Sequence, residues 1–272
     1  MRSHLSIVVP AYNEAERIES TLDTLLDYVR NRSDTELILV DDGSTDQTSA
    51  LIEATLRRDG SGLGTLIRYS ENRGKGFAVR TGLLAARAPI AVFTDADLST
   101  PLTELPTVVD PIAGGECDVT FGSRALDRSL IGVHQPRTRE LGGRVFNVVV
   151  RLATGLPFWD TQCGFKAFRL NVCRPLLAAA AIDRFGFDVE FLYLSHLAGL
   201  RLREVAVRWN HCDGSKVSTG RDAVRMVNEI RTVKWRLASG LYDSALLETG
   251  ATATRELRSL TPRWSSVRTA QP

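Results

Sequence analysis

Lysine is nearly absent from this chain. Of its 34 basic residues thirty are arginine and four are lysine, and three of those four stand in Gly74-Lys75-Gly76, Gly164-Phe165-Lys166 and Gly214-Ser215-Lys216. A compact ammonium is not interchangeable with a guanidinium fork, so lysines kept beside glycines point to phosphate, with chance in a biased composition as the plain alternative. Cysteine is also scarce. Cys117, Cys163, Cys173 and Cys212 form no Cys-x-x-Cys pair, which excludes a dense disulfide framework and the common zinc patterns and leaves buried thiols in a reducing compartment. No apolar run approaches the roughly 20 residues that cross a bilayer, and Leu5 to Pro10, where a signal-peptide core would begin, has the pattern of a strand. The chain is therefore expected to be cytoplasmic, peripheral on the inner face of a membrane. A net charge of only +2 sets aside general nucleic-acid binding. No Gly-x-Gly-x-x-Gly follows the first strand, which sets aside a dinucleotide-dependent oxidoreductase.

What is present is a composition of 43% hydrophobic and 24% charged residues over 272 positions, enough for one large α/β domain. Short β-branched runs at Leu5–Pro10, Glu36–Val40, Leu63–Tyr69, Ile90–Thr94 and Asp118–Phe121 alternate with helical patterns at about Glu14–Val29, Asp46–Arg57, Gly76–Arg87 and Leu102–Ile112. That alternation predicts a mostly parallel sheet covered by helices on both faces, with ligands at the carboxyl ends of the strands.

Asp95-Ala96-Asp97 stands where the apolar run Ala88–Thr94 leaves the core. Mg²⁺ and Mn²⁺ favour oxygen ligands and often take only one or two carboxylates, with substrate phosphates and water completing the shell. In isolation the same pair reads equally well as solvated loop acids. Three other strand ends open on the same edge, as Pro10-Ala11-Tyr12-Asn13-Glu14, Asp41-Asp42-Gly43-Ser44-Thr45-Asp46 and Asn72-Arg73-Gly74-Lys75-Gly76. Acids there can bind ribose hydroxyls or a base N–H, Tyr12 can cover a base, and glycine permits close backbone approach. Each loop alone could be helix capping, with Asp46 as an N-cap.

In combination these four motifs resemble those of family 2 glycosyltransferases over about residues 5–240, which implies the GT-A fold, a Rossmann-like mostly parallel sheet. Gly122-Ser123-Arg124, Asp160–Lys166, Phe187-Asp188-Val189-Glu190 and Trp209 through Gly214-Ser215-Lys216 resemble the dolichyl-phosphate β-glucosyltransferase branch, with dolichyl-phosphate mannose synthases as close relatives. The resemblance implies inverting transfer of one hexose from UDP-glucose, or from GDP-mannose, to a polyprenyl phosphate with Mg²⁺ or Mn²⁺. It implies metal contacts at Asp95 and Asp97 and donor contacts at Pro10, Tyr12, Glu14, Asp42, Lys75, Asp95, Ala96 and Asp97, with Lys216 on the leaving diphosphate. The chain departs from the pattern at Ser99, where mannose synthases often carry Gln, and it lacks the Gln-x-x-Arg-Trp of processive synthases.

The acceptor can be argued from charge. Residues 124–151 hold Arg124, Arg128, Arg137, Arg139, Arg144 and Arg151 against Asp127 and Glu140, a segment suited to an anionic acceptor. Arg124, Arg137 and Arg139 are the candidate acceptor-phosphate ligands. A phosphate monoester is already anionic near neutral pH, so attack needs no general base. On that reading Asp160 and Asp188 position cations; with a hydroxyl acceptor, one of them becomes the base. Leu141, Val145, Val148 or Val149, and Leu152 share one helical face, and Ala223, Met226, Val227, Ile230, Val233 and Leu237 share another. Either face can be core or can lie on a bilayer. If neither touches lipid, a separate membrane partner or a homo-oligomer is needed. The expected division is a catalytic domain over 1–215, an amphipathic helical segment over 216–243 and a loose polar tail over 244–272.

Overall fold

The computed structural model describes residues 4–32, 34–212 and 219–260, with the side chains of 137–139, 219–224 and 255–260 outside that description. Val8, Val9, Leu37, Leu39, Val40, Val92 and Phe93 are all without solvent exposure, because strands covered on both faces need apolar residues at consecutive positions. They belong to a seven-stranded sheet of β1 (Leu5–Ala11), β2 (Thr35–Asp41), β3 (Gly64–Arg68), β4 (Ile90–Thr94), β5 (Val119–Ser123), β7 (Phe165–Arg169) and β8 (Leu202–Ala206), in the order β3-β2-β1-β4-β7-β5-β8. All pairings are parallel except those of β7, which runs antiparallel to β4 and to β5. A short parallel pair, β6 (Ile131–Val133) and β9 (Trp209–Asn210), stands apart from it.

Alternate residues feed two cores. Ile7, Val9, Val92, Phe165 and Ala167 pack with α1 (Ile18–Arg30) and α4 (Leu105–Ala113) on one face. Val8, Val40, Phe93, Phe121 and Phe168 face α3 (Lys75–Ala85), α6 (Leu170–Ala179) and α7 (Phe187–Leu197) on the other. α2 (Thr48–Asp59) packs on α1 and β3. The expected parallel α/β sheet is present, and β7 is an addition to it. Asp118, before β5, accepts from the Arg201 amide at 3.0 Å and from its guanidinium at 2.9 and 3.1 Å, and it pairs with Arg169 at 3.3 Å. One buried carboxylate thus gathers the ends of β5, β7 and β8.

Two expectations need correction. A helix pattern beginning at Glu14 starts instead at Ile18, because Asn13 and Glu14 are engaged in contacts with the loop after β2. Over 244–260 the segment expected as a loose tail is instead a helix, α9 (Asp243–Leu260), that packs on α6, and the rest of that expectation, 261–272, lies outside the described residues. Its inward face carries Ala245, Thr249 and Ala253 behind the fully buried Tyr242, so close approach of small residues replaces large apolar ones. α8 (Thr219–Ala238) buries Met226, Ile230 and Val233 in the core. α5 (Arg137–Thr154) does the opposite with its expected stripe: Phe146 and Val150 face inward, whereas Leu141, Val145, Val148 and Leu152 are 61, 56, 52 and 83% exposed.

Burial pushes the Asp118 carboxyl up, but the hydrogen bonds and charge of Arg201 and then Arg169 outweigh this and hold it below the ordinary value. Its contribution is therefore fully present above the unfolded carboxyl pKa of about 4 and lost as pH falls through the lower folded value. Asp118→Asn is expected to cost about 2 kcal/mol at pH 7. Urea melts should show the difference from the parent shrinking in acid.

Candidate active site

The first three strand-end loops are bonded to one another through side chains. Asn13, held at φ 52°, accepts from the Thr45 amide at 2.8 Å, and its own amide donates to Ser44 Oγ at 2.9 Å. The Glu14 amide donates to Thr48 Oγ1 at 2.7 Å. Asp42, only 3% exposed, accepts from Tyr69 Oη at 2.8 Å, Asn72 Nδ2 at 2.8 Å, and the amides of Arg73 and Gly74, both at 2.9 Å. Burial and the neighbouring carboxylate push the Tyr69 phenol up, which keeps it a donor. Asp42 thus shapes the loop that carries Lys75. Gly43 has φ 67°, and a Cβ there would lie 2.4 Å from the Glu71 carbonyl carbon, so no other residue fits without moving the chain.

Lys75 Nζ lies 2.6 Å from Asp95 Oδ1 at the end of β4. Burial lowers the ammonium's pKa, but Asp95 and Asp188 more than offset it, and the group is held above its ordinary value as a cation. On the other side of Asp95 stands Gly164, where a Cβ would fall 2.0 Å from Oδ2 and 2.7 Å from Oδ1. Asp95 is therefore gripped between a lysine and bare backbone. Asp97, two residues on, accepts from the Ser99 amide at 2.9 Å, and the buried Ala96 presents its carbonyl to Thr21 Oγ1 at 2.7 Å. Among the described residues no three acidic, histidine or cysteine side chains gather to hold a metal. Asp95 and Asp97 supply a partial oxygen shell, which suits a cation whose remaining ligands arrive with a diphosphate.

Behind this edge Lys166 Nζ meets Asp188 Oδ1 at 2.5 Å and donates to the Cys163 carbonyl at 2.6 Å, with both side chains at most 4% exposed. Burial pushes the Asp188 carboxyl up, against the pull of Lys166 and Lys75. Toward the acceptor side, Arg124 forms a fork with the buried Asp160, with Nε to Oδ2 at 2.7 Å and Nη2 to Oδ1 at 2.9 Å. The Arg124 amide adds a third bond at 3.0 Å. The Asp160 and Trp159 amides in turn donate to Glu204 at 2.8 and 2.9 Å. Both aspartates thus contact cations in this structure.

Arg124 opens into a cavity of about 410 Å³ that Arg128, Arg144, Arg151, Asn147 and Trp159 also line. Glu140 pairs with Arg128 at 2.6 Å and with Arg144 at 2.7 Å, and the Arg151 guanidinium lies 4.2 Å from the Trp159 ring centre. Four arginines thus face two acids. Arg137 and Arg139 stand in the first turn of α5 with their side chains outside the described residues, and Lys216 lies outside them altogether. Pro10, Tyr12 and Glu14 sit half-buried beside the loop after β2. Sequence reasoning missed Glu204, which lies inside an ordinary strand, and gave no role to Glu190 or Tyr242.

The glycosyl transferase family 2 profile matches residues 6–177. The dolichyl-phosphate β-glucosyltransferase of Drosophila melanogaster is 36% identical over 86% of this chain and 78% of its own length. That of Dictyostelium discoideum is 32% identical over 88% and 76%. Among solved structures, glucosyl-3-phosphoglycerate synthase from Mycobacterium tuberculosis, with Mn²⁺, UDP and glucosyl-3-phosphoglycerate, superposes with a TM-score of 0.62. It is 22% identical, covering 85% of this chain and 78% of that one. A mannosyltransferase from Pyrobaculum calidifontis, with GDP-mannose and Mn²⁺, superposes at 0.54 with 21% identity, over 96% and 76%. Both have the same α/β fold. The chain belongs to glycosyl transferase family 2, and its chemistry is glycosyl transfer.

Proposed function

We propose that this glycosyltransferase moves one glucose from UDP-glucose to the phosphate of a polyprenyl lipid, with inversion at the anomeric carbon, at a membrane surface. One observation carries the choice of acceptor. The arginine-lined cavity bordered by Arg124 and Asp160 is continuous, through Val148, with the exposed apolar stripe Leu141, Val145, Val148 and Leu152. An anionic head and an apolar tail are matched by one continuous surface. The names of the curated relatives support glucose and dolichyl phosphate. No helix among the described residues is long and apolar enough to cross a membrane, and the exposed α5 face is suited to lie on one.

In this reading Pro10, Tyr12 and Glu14 border the nucleoside, Asp42 holds the loop that presents Lys75, and Lys75 and Lys216 meet the diphosphate. Asp95 and Asp97, with the Ala96 backbone between them, would hold Mg²⁺ or Mn²⁺, which when bound offsets charge on the departing diphosphate. Arg124, oriented by Asp160, and Arg137 or Arg139 hold the acceptor phosphate. A phosphate oxygen attacks the anomeric carbon as the bond to the UDP oxygen breaks, and alignment supplies much of the rate. No proton leaves the nucleophile, so neither Asp160 nor Asp188 acts as a base.

The direct test is transfer of radiolabel from UDP-glucose, and separately from GDP-mannose, to a short polyprenyl phosphate, read as organic-extractable product with Mg²⁺, Mn²⁺ or EDTA. EDTA-sensitive label from UDP-glucose is expected. Label from GDP-mannose alone would change the sugar, and activity confined to water-soluble phosphate acceptors would remove the lipid.

Two variants divide the site. Asp97→Asn is expected to lower turnover by about 10²–10³-fold, the scale of losing one preorganised electrostatic contact. Asp160→Asn loosens Arg124 and is expected to raise the acceptor KM by about tenfold while the affinity for UDP stays unchanged in calorimetry.

A further inference from the structure

The loop that carries Lys75 rests on a second segment, residues 181–187. A Cβ on Gly74 would lie 2.5 Å from the Asp183 carbonyl oxygen, and one on Gly76 2.6 Å from that of Ile182 and 2.8 Å from that of Arg184. The Phe77 amide donates to the Asp183 carbonyl at 3.0 Å, and Arg80 pairs with the Asp183 carboxylate at 2.6 Å. With bare backbone on both sides of Lys75, a shift of 181–187 moves the root of that side chain directly.

That segment is itself gripped from the C-terminal helices. Glu190, fully buried on α7, accepts from the Ala181 and Ile182 amides, both at 2.9 Å, and from Tyr242 Oη at 2.5 Å. Tyr242, at the turn between α8 and α9, accepts in turn from Arg236 Nε at 3.0 Å. At the other end of the segment the Gly186 amide donates to Glu229 Oε2 of α8 at 2.8 Å, and a Cβ on Gly186 would lie 2.5 Å from that oxygen. Burial and the Glu190 carboxylate push the Tyr242 phenol up, which keeps its proton in place for donation.

We infer that Tyr242, Glu190 and Glu229 are positioning residues for the donor diphosphate: through the backbone of 181–187 they fix where Lys75 stands. The inference rests on the reading of Lys75 as a diphosphate contact. It gives the C-terminal helices α8 and α9, which lie beyond the segment matched by the family profile, a part in donor binding.

Tyr242→Phe removes one hydroxyl and keeps the ring. Binding of UDP by calorimetry and of uridine by ligand-observed NMR, each with Mn²⁺ present, separates the diphosphate from the nucleoside. The expected result is a Kd for UDP raised about fivefold, a value for uridine unchanged within twofold, and faster amide exchange in residues 74–78 with β1 and β4 unaltered. Glu229→Gln, which loosens the other end of the same segment, should give the same split and stands in if Tyr242→Phe fails to fold. Equal weakening of UDP and uridine, or no change in either, would overturn the coupling while leaving the donor site intact. Failure of the parent protein to bind UDP at all would remove the donor reading and this inference with it.

Discussion

Four charges gather around the ring of Phe93, and the site depends on their balance. The ammonium groups of Lys166 and Lys75 lie 5.3 and 6.0 Å from the ring centre, and they pair with Asp188 and Asp95 respectively. The four come from β7, α3, α7 and the end of β4. Removing Lys166 or Asp188 would leave its buried partner without compensation, which costs several kcal/mol in a dry environment, whereas Lys75 and Asp95 keep part of their surface in water. Compact ammonium groups suit this space where a guanidinium fork does not. Two of the four lysines in the chain thus stand together at this ring.

The two sides of the cleft are built differently. The proposed donor side is backbone held by side chains: Asn13, Asp42 and Thr48 take up amide protons that no helix or strand employs, so the loops are fixed without regular structure. The proposed acceptor side is an open cavity with Arg124 and Arg128 on the chain after β5 and Arg144 and Arg151 on the long helix α5. Its arginines are paired sideways with Asp160 and Glu140 or set against Trp159, and these contacts hold the guanidinium planes beside the space an anion would enter. One side is suited to a small rigid ligand and the other to a head group on a mobile chain.

Much of this was legible in the sequence, because parallel strands with apolar cores announce themselves and their loops must open on one edge. Asp95, Asp97, Lys75 and Arg124 fall where the strand pattern puts them. What was not legible is whatever depends on pairing across distance. Strand β7 carries Phe165, Ala167 and Phe168 as any core strand would, and nothing local reveals that it runs backwards. Asp42 looks like a ligand contact from its position, yet its oxygens are shared among Tyr69, Asn72, Arg73 and Gly74. Helix α9 was hidden because alanine and threonine make its buried face, and composition alone makes such a segment look polar. The stripe on α5 was visible, but only the structure shows it facing outward while the similar stripe on α8 turns in.

The reversal of β7 also bears on how the cleft comes into being. β1, β2 and β3 pair in succession through short crossovers, whereas β4 returns across that whole stretch of chain to pair with β1. β7 must then enter between β4 and β5, closing a long loop from the end of β4 and bringing Gly164 against Asp95. Its pairing with β4 spans about as much chain as the pairing of β1 with β4, and contacts of that range close slowly relative to local ones. The insertion of this one strand both completes the sheet and joins the two sides of the cleft.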